Sequence, residues 1–351
     1  MSSPKSQGSS PRGEDPPPAQ QGINPETGHI EVDNSDADSS YAESTAVTDT
    51  TSLRSSILAY KWEHGRRYHA YQDGAYWGPN DETQQDAEDL VHEMFRIILG
   101  GKLFEAPIRE DPHKVLDVGC GTGIWAIEFA DQFPSAEVIG VDLSPIQPPY
   151  VPPNCKFEVD DVNKAWTYKP DAFDFIHVRA MTGCVPDWVD FYKKALTHLK
   201  PGGWVEQIEL SSIARADDGT IAPDSPLVRW ITVFEQMGEK LGKTFSACEL
   251  ARDAIERAGF VNVRERRIKV PIGTWPKDRD LKQWGAWNRM FLIQGLEGFA
   301  IRGLTALLGW SYEEAQVYLA SMRKELTDPK VHSYIEMCVV AGQKPESSEE
   351  T

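Results

Sequence analysis

Residues Val115 to Gly123 read VLDVGCGTG, and this stretch decides the fold of the chain. The apolar run from Lys114 to Val118 predicts a buried strand, and the residues from Thr122 onward predict a helix that stops before Pro134. Glycines at alternate positions between them let the backbone turn sharply and approach a ligand without Cβ clashes. A strand, a glycine-rich turn and a helix in this order predict a nucleotide-type site in an α/β protein.

Asp117 places an acid two positions before the first glycine of this turn. A dinucleotide site shows G-x-G-x-x-G and approaches a pyrophosphate, which a carboxylate at this position would repel. A carboxylate at the end of a strand suits a cationic amino group instead. The combination predicts S-adenosylmethionine, which bears an ammonium and a sulfonium, held by Asp117 and by the turn Gly119-Cys120-Gly121-Thr122-Gly123.

Acidic residues also follow the next two predicted strands. Asp142, followed by Leu143, ends the strand that begins at Glu137, 23 residues after Gly119, where an acid can accept both ribose hydroxyls. The strand Lys156 to Val159 leads into Asp160-Asp161-Val162. A carboxylate there can accept from the adenine amino group, with Asp161 favoured over Asp160, and the backbone of Val162 can reach the ring nitrogens.

The fourth predicted strand, Phe173 to Val178, places His177 near its carboxyl end, where ligands of parallel sheets bind. His177 is therefore a candidate general base for an acceptor hydroxyl or amine. The alternative is a histidine that packs or bonds the backbone beside the cofactor. Asp174 starts the same strand, far from this end, and is expected to be structural.

Strands and helices alternate through the central part of the chain. A helix at 188–199 and a strand at 204–210 continue the pattern, which predicts a mostly parallel sheet with helices on both faces. Helices at 227–241 and 246–258, strands at 261–270 and 332–342, and a helical insertion at 278–326 follow. Capping boxes are predicted at Ser246 with Glu249 and at Ser311 with Glu314. The late strands predict an antiparallel, hairpin-like edge.

The formal charge of −18 argues against a nucleic-acid partner. The basic run from Arg264 to Lys269 is interpreted as a solvated strand edge rather than a binding patch. Five scattered cysteines without a CxxC pair predict neither disulfides nor a metal site. No apolar run reaches the roughly 20 residues that a membrane span needs. The polar start of the chain lacks a secretory pattern, so we expect a cytoplasmic or nuclear protein.

Composition divides the chain into four parts. Residues 1–52 are rich in Ser, Pro, Gly and acids, which predicts a disordered tail, and residues 345–351 repeat this on a smaller scale. A helical lid segment is expected over 53–112, with a helix from Asp86 to Leu99. The main domain is expected over 113–344.

The stretches VLDVGCGTG, VDLS, VDDV, FDFIHVRAM and LKPGGWVEQIEL, over about 113–211, resemble the class I S-adenosylmethionine-dependent methyltransferases in order and spacing. RRYHAYQDGAYWGPNDETQQDAEDLVHEMF, IHVR and GGWVEQIE carry a narrower resemblance to the fungal LaeA-like methyltransferases. That resemblance implies a Rossmann-like seven-stranded fold and a role in secondary metabolism, with a small metabolite or a protein as acceptor. An alternative is a catalytically weak scaffold that works through velvet-type regulatory proteins in the nucleus.

The aromatic segment before the glycine turn is interpreted in two ways. Tyr68, Tyr71, Tyr76 and Asn80 form a lid that brings Tyr68 and Tyr76 to the cofactor, or they anchor the N-terminal segment on the core. The helical insertion carries further aromatic and apolar residues that line an acceptor pocket or belong to the core: Trp284, Trp287, Met290, Phe291, Phe299 and Trp310.

Overall fold

The computed structural model describes residues 59–72 and 74–346, so the predicted tail 1–52 and residues 347–351 lie outside the described residues. Its strands are β1 (Lys61–Glu63), β2 (Arg66–Tyr68), β3 (Lys114–Val118), β4 (Glu137–Asp142), β5 (Cys155–Val159), β6 (Phe173–Arg179), β7 (Leu199–Leu210), β8 (Val261–Pro271) and β9 (Tyr334–Gln343). Its helices are α1 (Glu82–Ile98), α2 (Ile124–Gln132), α3 (Trp188–His198), α4 (Pro226–Leu241), α5 (Ala247–Ala258), α6 (Arg279–Arg302) and α7 (Tyr312–Thr327), with a π-helical turn (Gly303–Leu307) after α6.

Seven strands form one sheet in the order β5-β4-β3-β6-β7-β9-β8. Strands β3 to β7 pair in parallel, and β9 runs antiparallel to both of its neighbours. The predicted fold class and its antiparallel edge are confirmed. The chain proceeds from β3 to one side of the sheet and returns through β6 to the other. The carboxyl ends of β3 and β6 therefore flank the switch point at which open α/β sheets bind ligands.

Successive side chains of the central strands point to opposite faces of the sheet, and both faces are buried. Leu116 and Val118 of β3 join the core beneath α3 and α5. Val115 points to the opposite face, where it packs with Trp125 and Phe129 of α2. Helices thus cover both faces, as the alternation of strands and helices predicts.

The segment before β3 differs from its predicted helical form. It begins with the antiparallel hairpin β1–β2, and only then enters α1, which starts at Glu82 rather than Asp86. Asp81 explains this start, because its side chain accepts from the backbone N–H of Gln84 and caps the helix. The same carboxylate accepts from Arg66 Nε at 2.6 Å, so the hairpin and the helix are held together.

The insertion between β8 and β9 consists of α6, the π-helical turn and α7. The predicted capping box at Ser311 and Glu314 is confirmed in both directions. The predicted box at Ser246 and Glu249 is wrong, because Glu249 Oε1 accepts from the hydroxyl of Ser211 at 2.5 Å instead.

By length and composition, α6 with the π-helical turn is apolar enough to cross a membrane, the one such helix in the described ranges. Here α6 packs against α1, β8 and α7. Core helices of globular domains meet the same criterion.

The basic run on β8 lies along the outer edge of the sheet and is paired with acids. Lys269 Nζ lies 2.6 Å from Asp217, Arg267 Nε lies 2.7 Å from Glu265, and Arg266 forms an ion pair with Glu105. The interpretation as a solvated strand edge is confirmed, since neighbouring carboxylates neutralise the run.

Asp174 joins the amino-terminal ends of three strands. Its Oδ2 accepts from the backbone N–H groups of His113 and Lys114 at 3.0 and 2.9 Å and from Lys200 Nζ at 2.8 Å. Burial opposes ionisation, but these donors outweigh it and hold the pKa of Asp174 below its usual value. The residue is structural, as expected, and lies at the end of the sheet opposite the switch point.

Asp174→Asn should lower the free energy of unfolding by about 1–3 kcal/mol at pH 7, because a buried acceptor of three hydrogen bonds loses its charge. A depressed native pKa adds stability above the unfolded value of about 3.9, and that stability is lost as pH falls through the native pKa. Urea unfolding from pH 7 downward should show the difference between variant and parent shrinking below about pH 5. Asp171→Asn, at an exposed site, is the control. A difference in the free energy of unfolding between Asp174→Asn and the parent that is absent at pH 7, or constant with pH, contradicts the structural role of the ionised Asp174.

Candidate functional site

The glycine turn adopts a backbone that other residues disfavour. Gly119 and Gly121 have φ angles of 68° and 54°, in the left-handed region. A Cβ at Gly119 would collide with the thioether of Met181, and one at Gly121 would lie 2.6 Å from Glu88 Oε2. The φ angles favour glycine at both positions, and a Cβ at either one would also require the Met181 or Glu88 side chain to move.

Hydrogen bonds hold the turn against the end of β4. Asp142 accepts from the backbone N–H of Gly121 at 2.9 Å and from that of Ser144 at 2.8 Å. Gln147 Nε2 donates to the carbonyl of Gly121 at 2.7 Å. Gln147 was missed by sequence reasoning, because a lone glutamine in a loop carries no signal. Asp142 therefore shapes the turn as well as facing the site.

A cavity opens at the carboxyl ends of β3, β4 and β6, on the predicted side of the sheet. Most of the predicted cofactor residues line it: Tyr76, Gly119, Cys120, Gly121, Thr122, Asp142, Leu143, Asp160, Asp161 and Val162. Burial raises the pKa of Asp142 to about 6, with the carboxylate of Asp117 adding to the effect. Hydroxyl donors of a bound ligand would favour the charged form of Asp142.

His177 and Asp117 lie behind the turn. His177 Nδ1 lies 2.8 Å from Asp117 Oδ1, and its ring stacks on Trp125 with a centroid distance of 3.7 Å and an angle of 3°. His177 is fully buried, and burial lowers its pKa, partly offset by Asp117. This environment favours the alternative of a packing histidine over a general base, because the stacked imidazole does not line the cavity. The pair joins β3 to β6 beneath the turn. Asp117, predicted to bind the ammonium, is not among the residues that line the cavity, although its Oδ2 is buried without a hydrogen-bond partner among the described residues. Its role toward the ammonium stays a prediction.

Two other predicted contacts also fall outside the cavity lining. Tyr68 is buried beneath Arg302, whose guanidinium carbon lies 4.5 Å from the ring centroid, so Tyr68 belongs to the core. Gly123 caps α2, and a Cβ there would collide with the ring of Phe157. Gly123 thus permits close packing rather than ligand contact.

The later part of the aromatic segment lines the cavity, a position that fits both the lid and the anchor interpretations. Tyr76 and Asn80 line the cavity together with Trp77, which sequence reasoning left out. Trp77 Nε1 donates to the carbonyl of Thr182 at 3.0 Å, and Asn80 Nδ2 donates to Ser144 Oγ at 3.2 Å. These bonds fasten the segment across the mouth of the site on both sides.

Two charged side chains in the cavity were also missed as ligands. Glu88 Oε2 is buried without a hydrogen-bond partner among the described residues, and burial raises the pKa of Glu88 to about 8, with Asp142 adding to the effect. Arg179 donates to His92 Nδ1 at 3.0 Å, and burial lowers its pKa to about 10. Only tertiary packing brings α1 to the turn, so spacing alone could not identify Glu88.

The far side of the cavity is apolar. Its aromatic lining includes Trp77, Phe95, Trp230, Phe234, Phe245, Phe291 and Phe299. Of the aromatics predicted in the insertion, Phe291 and Phe299 line the cavity. Trp284, Trp287 and Trp310 pack against the core, and Met290 is exposed.

The residues present fit S-adenosylmethionine on structural grounds. The glycine turn offers a backbone cradle that any Cβ would fill, and Asp142 faces the cavity at the end of β4. The unpartnered carboxyl oxygen of Glu88 lies beside Gly121, where a cation would satisfy it. The described residues contain no cluster of His, Cys, Asp and Glu that could hold a metal ion.

The chain matches the methyltransferase domain family over residues 90–265. It is 40% identical to methyltransferase pytC of Aspergillus terreus over 84% of this chain and 91% of that protein. It is 38% identical to secondary metabolism regulator LAE1 of Cochliobolus heterostrophus over 81% of this chain and 94% of that protein. It is 32% identical to protein-methionine methyltransferase laeA of Emericella nidulans over 81% of this chain and 76% of that protein. The matched domain contains the turn, the acids and the strand β7.

Gly121→Asp should weaken S-adenosylmethionine binding by about two orders of magnitude or more, because bulk and charge enter the turn beside Glu88. Isothermal calorimetry measures the affinity. Gly219→Asp is the matched control, since Gly219 also has a positive φ but a Cβ there meets open space. Equal affinity in the Gly121 variant and the parent would remove the turn from the site.

Glu88→Gln should weaken cofactor binding by about tenfold and reduce proton release on binding. Near pH 7 the Glu88 carboxyl with a pKa of about 8 is partly protonated, and a bound cation favours its charged form, so binding releases a proton. Calorimetry in two buffers of different ionisation enthalpy measures that release. Asp86→Asn, exposed on the same helix, should leave both quantities unchanged. Unaltered proton release in the Glu88 variant would contradict the assignment.

Proposed function

The chain is an S-adenosylmethionine-dependent methyltransferase of the LaeA-like family of fungal secondary metabolism, and we propose that its acceptor is a small, largely apolar metabolite. One observation carries this proposal: the cavity that begins at the glycine turn continues into an aromatic chamber bounded by Trp230, Phe234 and Phe291. A concave pocket with apolar, aromatic walls of this kind suits a small ligand better than a polypeptide segment.

The site residues divide the cofactor between them. Asp142 would accept hydrogen bonds from the ribose hydroxyls, and Asp161, with Asp160 and the backbone of Val162, would hold the adenine. Glu88 would hold the ammonium of the methionine part, and Arg179 would hold its carboxylate. When bound, the cofactor supplies a methyl group on a sulfonium, which is a good leaving group. The remaining task of the chain is to hold the acceptor in line and to exclude water, so positioning supplies much of the rate.

The aromatic segment around Trp77 excludes water from the site. Trp77 is bonded to the loop after β6 and packs edge-on against Phe245, with a ring-centroid distance of 5.3 Å. Lys243 donates to the carbonyl of Ala75, which ties the segment to the loop after α4. Opening these contacts admits substrate, and closing them completes the chamber.

A second candidate function follows from the names of the relatives. One relative is a protein-methionine methyltransferase, and another is a secondary metabolism regulator. A regulatory protein of this family would methylate a protein, or act as a scaffold for velvet-type partners, in the nucleus rather than in the cytoplasm. The aromatic walls of the cavity favour the metabolite acceptor.

The protein incubated with methyl-labelled cofactor and an extract of its source organism should place the label in the small-molecule fraction. The reason is that the chamber admits a compact apolar acceptor. Gly121→Asp, assayed in parallel, should abolish the label and so exclude contaminating activities. Label in protein supports the regulatory candidate, and an absence of label in both fractions supports the scaffold. Either result contradicts the proposed metabolite acceptor.

A further inference from the structure

A buried carboxyl group lines the cavity and has no assigned role in cofactor binding. Glu209 lies near the carboxyl end of β7, is 1% exposed and lines the cavity. Its Oε1 accepts from the backbone N–H of Met181 at 2.7 Å and from Gln207 Nε2 at 3.2 Å. Its Oε2 is buried and has no hydrogen-bond partner in the described ranges. A buried carboxyl oxygen without a donor is costly, which indicates that a ligand supplies one.

The orientation of this carboxyl is fixed from the core. The hydroxyl of Tyr192 on α3 donates to Gln207 Oε1, and this bond turns the amide nitrogen of Gln207 toward Glu209. Tyr192 and Gln207 are both fully buried. The carboxyl is therefore held in one position before any acceptor enters, as a preorganised reacting group requires.

Met181 connects Glu209 to the glycine turn. Its backbone N–H bonds the carboxyl, and its thioether packs on Gly119. Ala180, immediately before it, has a φ of 53°, a strained value for a residue with a side chain. Strain of this kind persists where the surroundings impose it, most often at functional sites. The segment after β6 thus bends so that the carboxyl and the turn border one chamber.

The groups that face Glu209 set its proton affinity. Burial raises the pKa of Glu209 to about 7, opposed by the hydrogen bonds from the Met181 amide and Gln207, and reinforced by Glu249. The other titratable groups around it are Tyr192 on α3, Cys338 on β9 and Cys184 in the loop after β6. The carboxyl is therefore poised to accept a proton near neutral pH.

We propose that Glu209 is the general base of the methyl transfer, and that the acceptor is an aromatic or enolic hydroxyl compound. This inference rests on the proposed function. The hydroxyl proton passes to Glu209 Oε2, and the acceptor oxygen forms the new bond to the methyl carbon. The carbon–sulfur bond breaks with its electron pair on sulfur, which leaves a neutral thioether. The aromatic walls hold the ring, and Oε2 receives the one proton that the reaction releases.

The test uses 2-naphthol as acceptor and measures the formation of 2-methoxynaphthalene. Glu209→Gln should reduce turnover by about 10²–10⁴-fold, because the general base is lost while the shape is kept. The parent rate should rise with pH through one ionisation near 7, and the variant should lack that rise. Glu249→Gln, a neighbouring carboxyl outside the cavity lining, is the matched control and should keep the rise. Calorimetry should show unchanged cofactor affinity in both variants.

Binding gives an independent readout that does not need turnover. Quenching of tryptophan fluorescence should show that the parent prefers 2-naphthol to 2-methoxynaphthalene by about tenfold, and that Glu209→Gln loses the preference. If Glu209→Gln keeps the ligand preference or the pH dependence of the parent, the role of Glu209 is overturned, while the proposed metabolite acceptor is not affected. A parent that neither binds nor methylates 2-naphthol overturns the substrate class, and the labelled-extract experiment then decides whether the metabolite acceptor falls with it.

Discussion

The hydrogen bonds between the glycine turn and the end of β4 are the constraint on which the site depends. Asp142 accepts from the backbone of Gly121, and the N–H groups of Gly119 and Cys120 donate to the carbonyl of Val141 at 2.8 and 3.1 Å. These bonds fix a backbone that only glycine adopts easily. They also place the Asp142 carboxylate and a turn without side-chain bulk on the same side of the cavity. The cofactor site is therefore preorganised before a ligand binds.

Support for this turn comes from a buried polar pair below it. Asp117 and His177 occupy paired positions on β3 and β6, and Trp125 of α2 closes over the imidazole. The pair lies on the face of α2, whereas Glu209 lies on the face of α3 and α5, where Tyr192 orients its neighbour. One face of the sheet therefore supports the cofactor turn, and the other orients the acceptor.

The sequence predicted the architecture well, because the periodicity of buried strands and helices is local. It predicted the turn, Asp142 and Asp161 for the same reason, since each directly follows a strand. It did not decide between the two roles of His177, because a strand position near the ligand does not say which face the side chain takes. Glu88 and Glu209 were missed, because only the packing of α1 and the bend at Ala180 bring them to the cavity. The β1–β2 hairpin was missed because its strands are three residues each.

A crystal structure of the protein with S-adenosylhomocysteine tests the cofactor site most directly. We expect the ribose hydroxyls to lie on Asp142, the adenine to lie beside Asp161, and the amine to lie within hydrogen-bond distance of Glu88. The thioether sulfur should face the chamber that Glu209 borders. A ligand bound away from the glycine turn, or an amine held by Asp117 with Glu88 turned outward, would contradict the account.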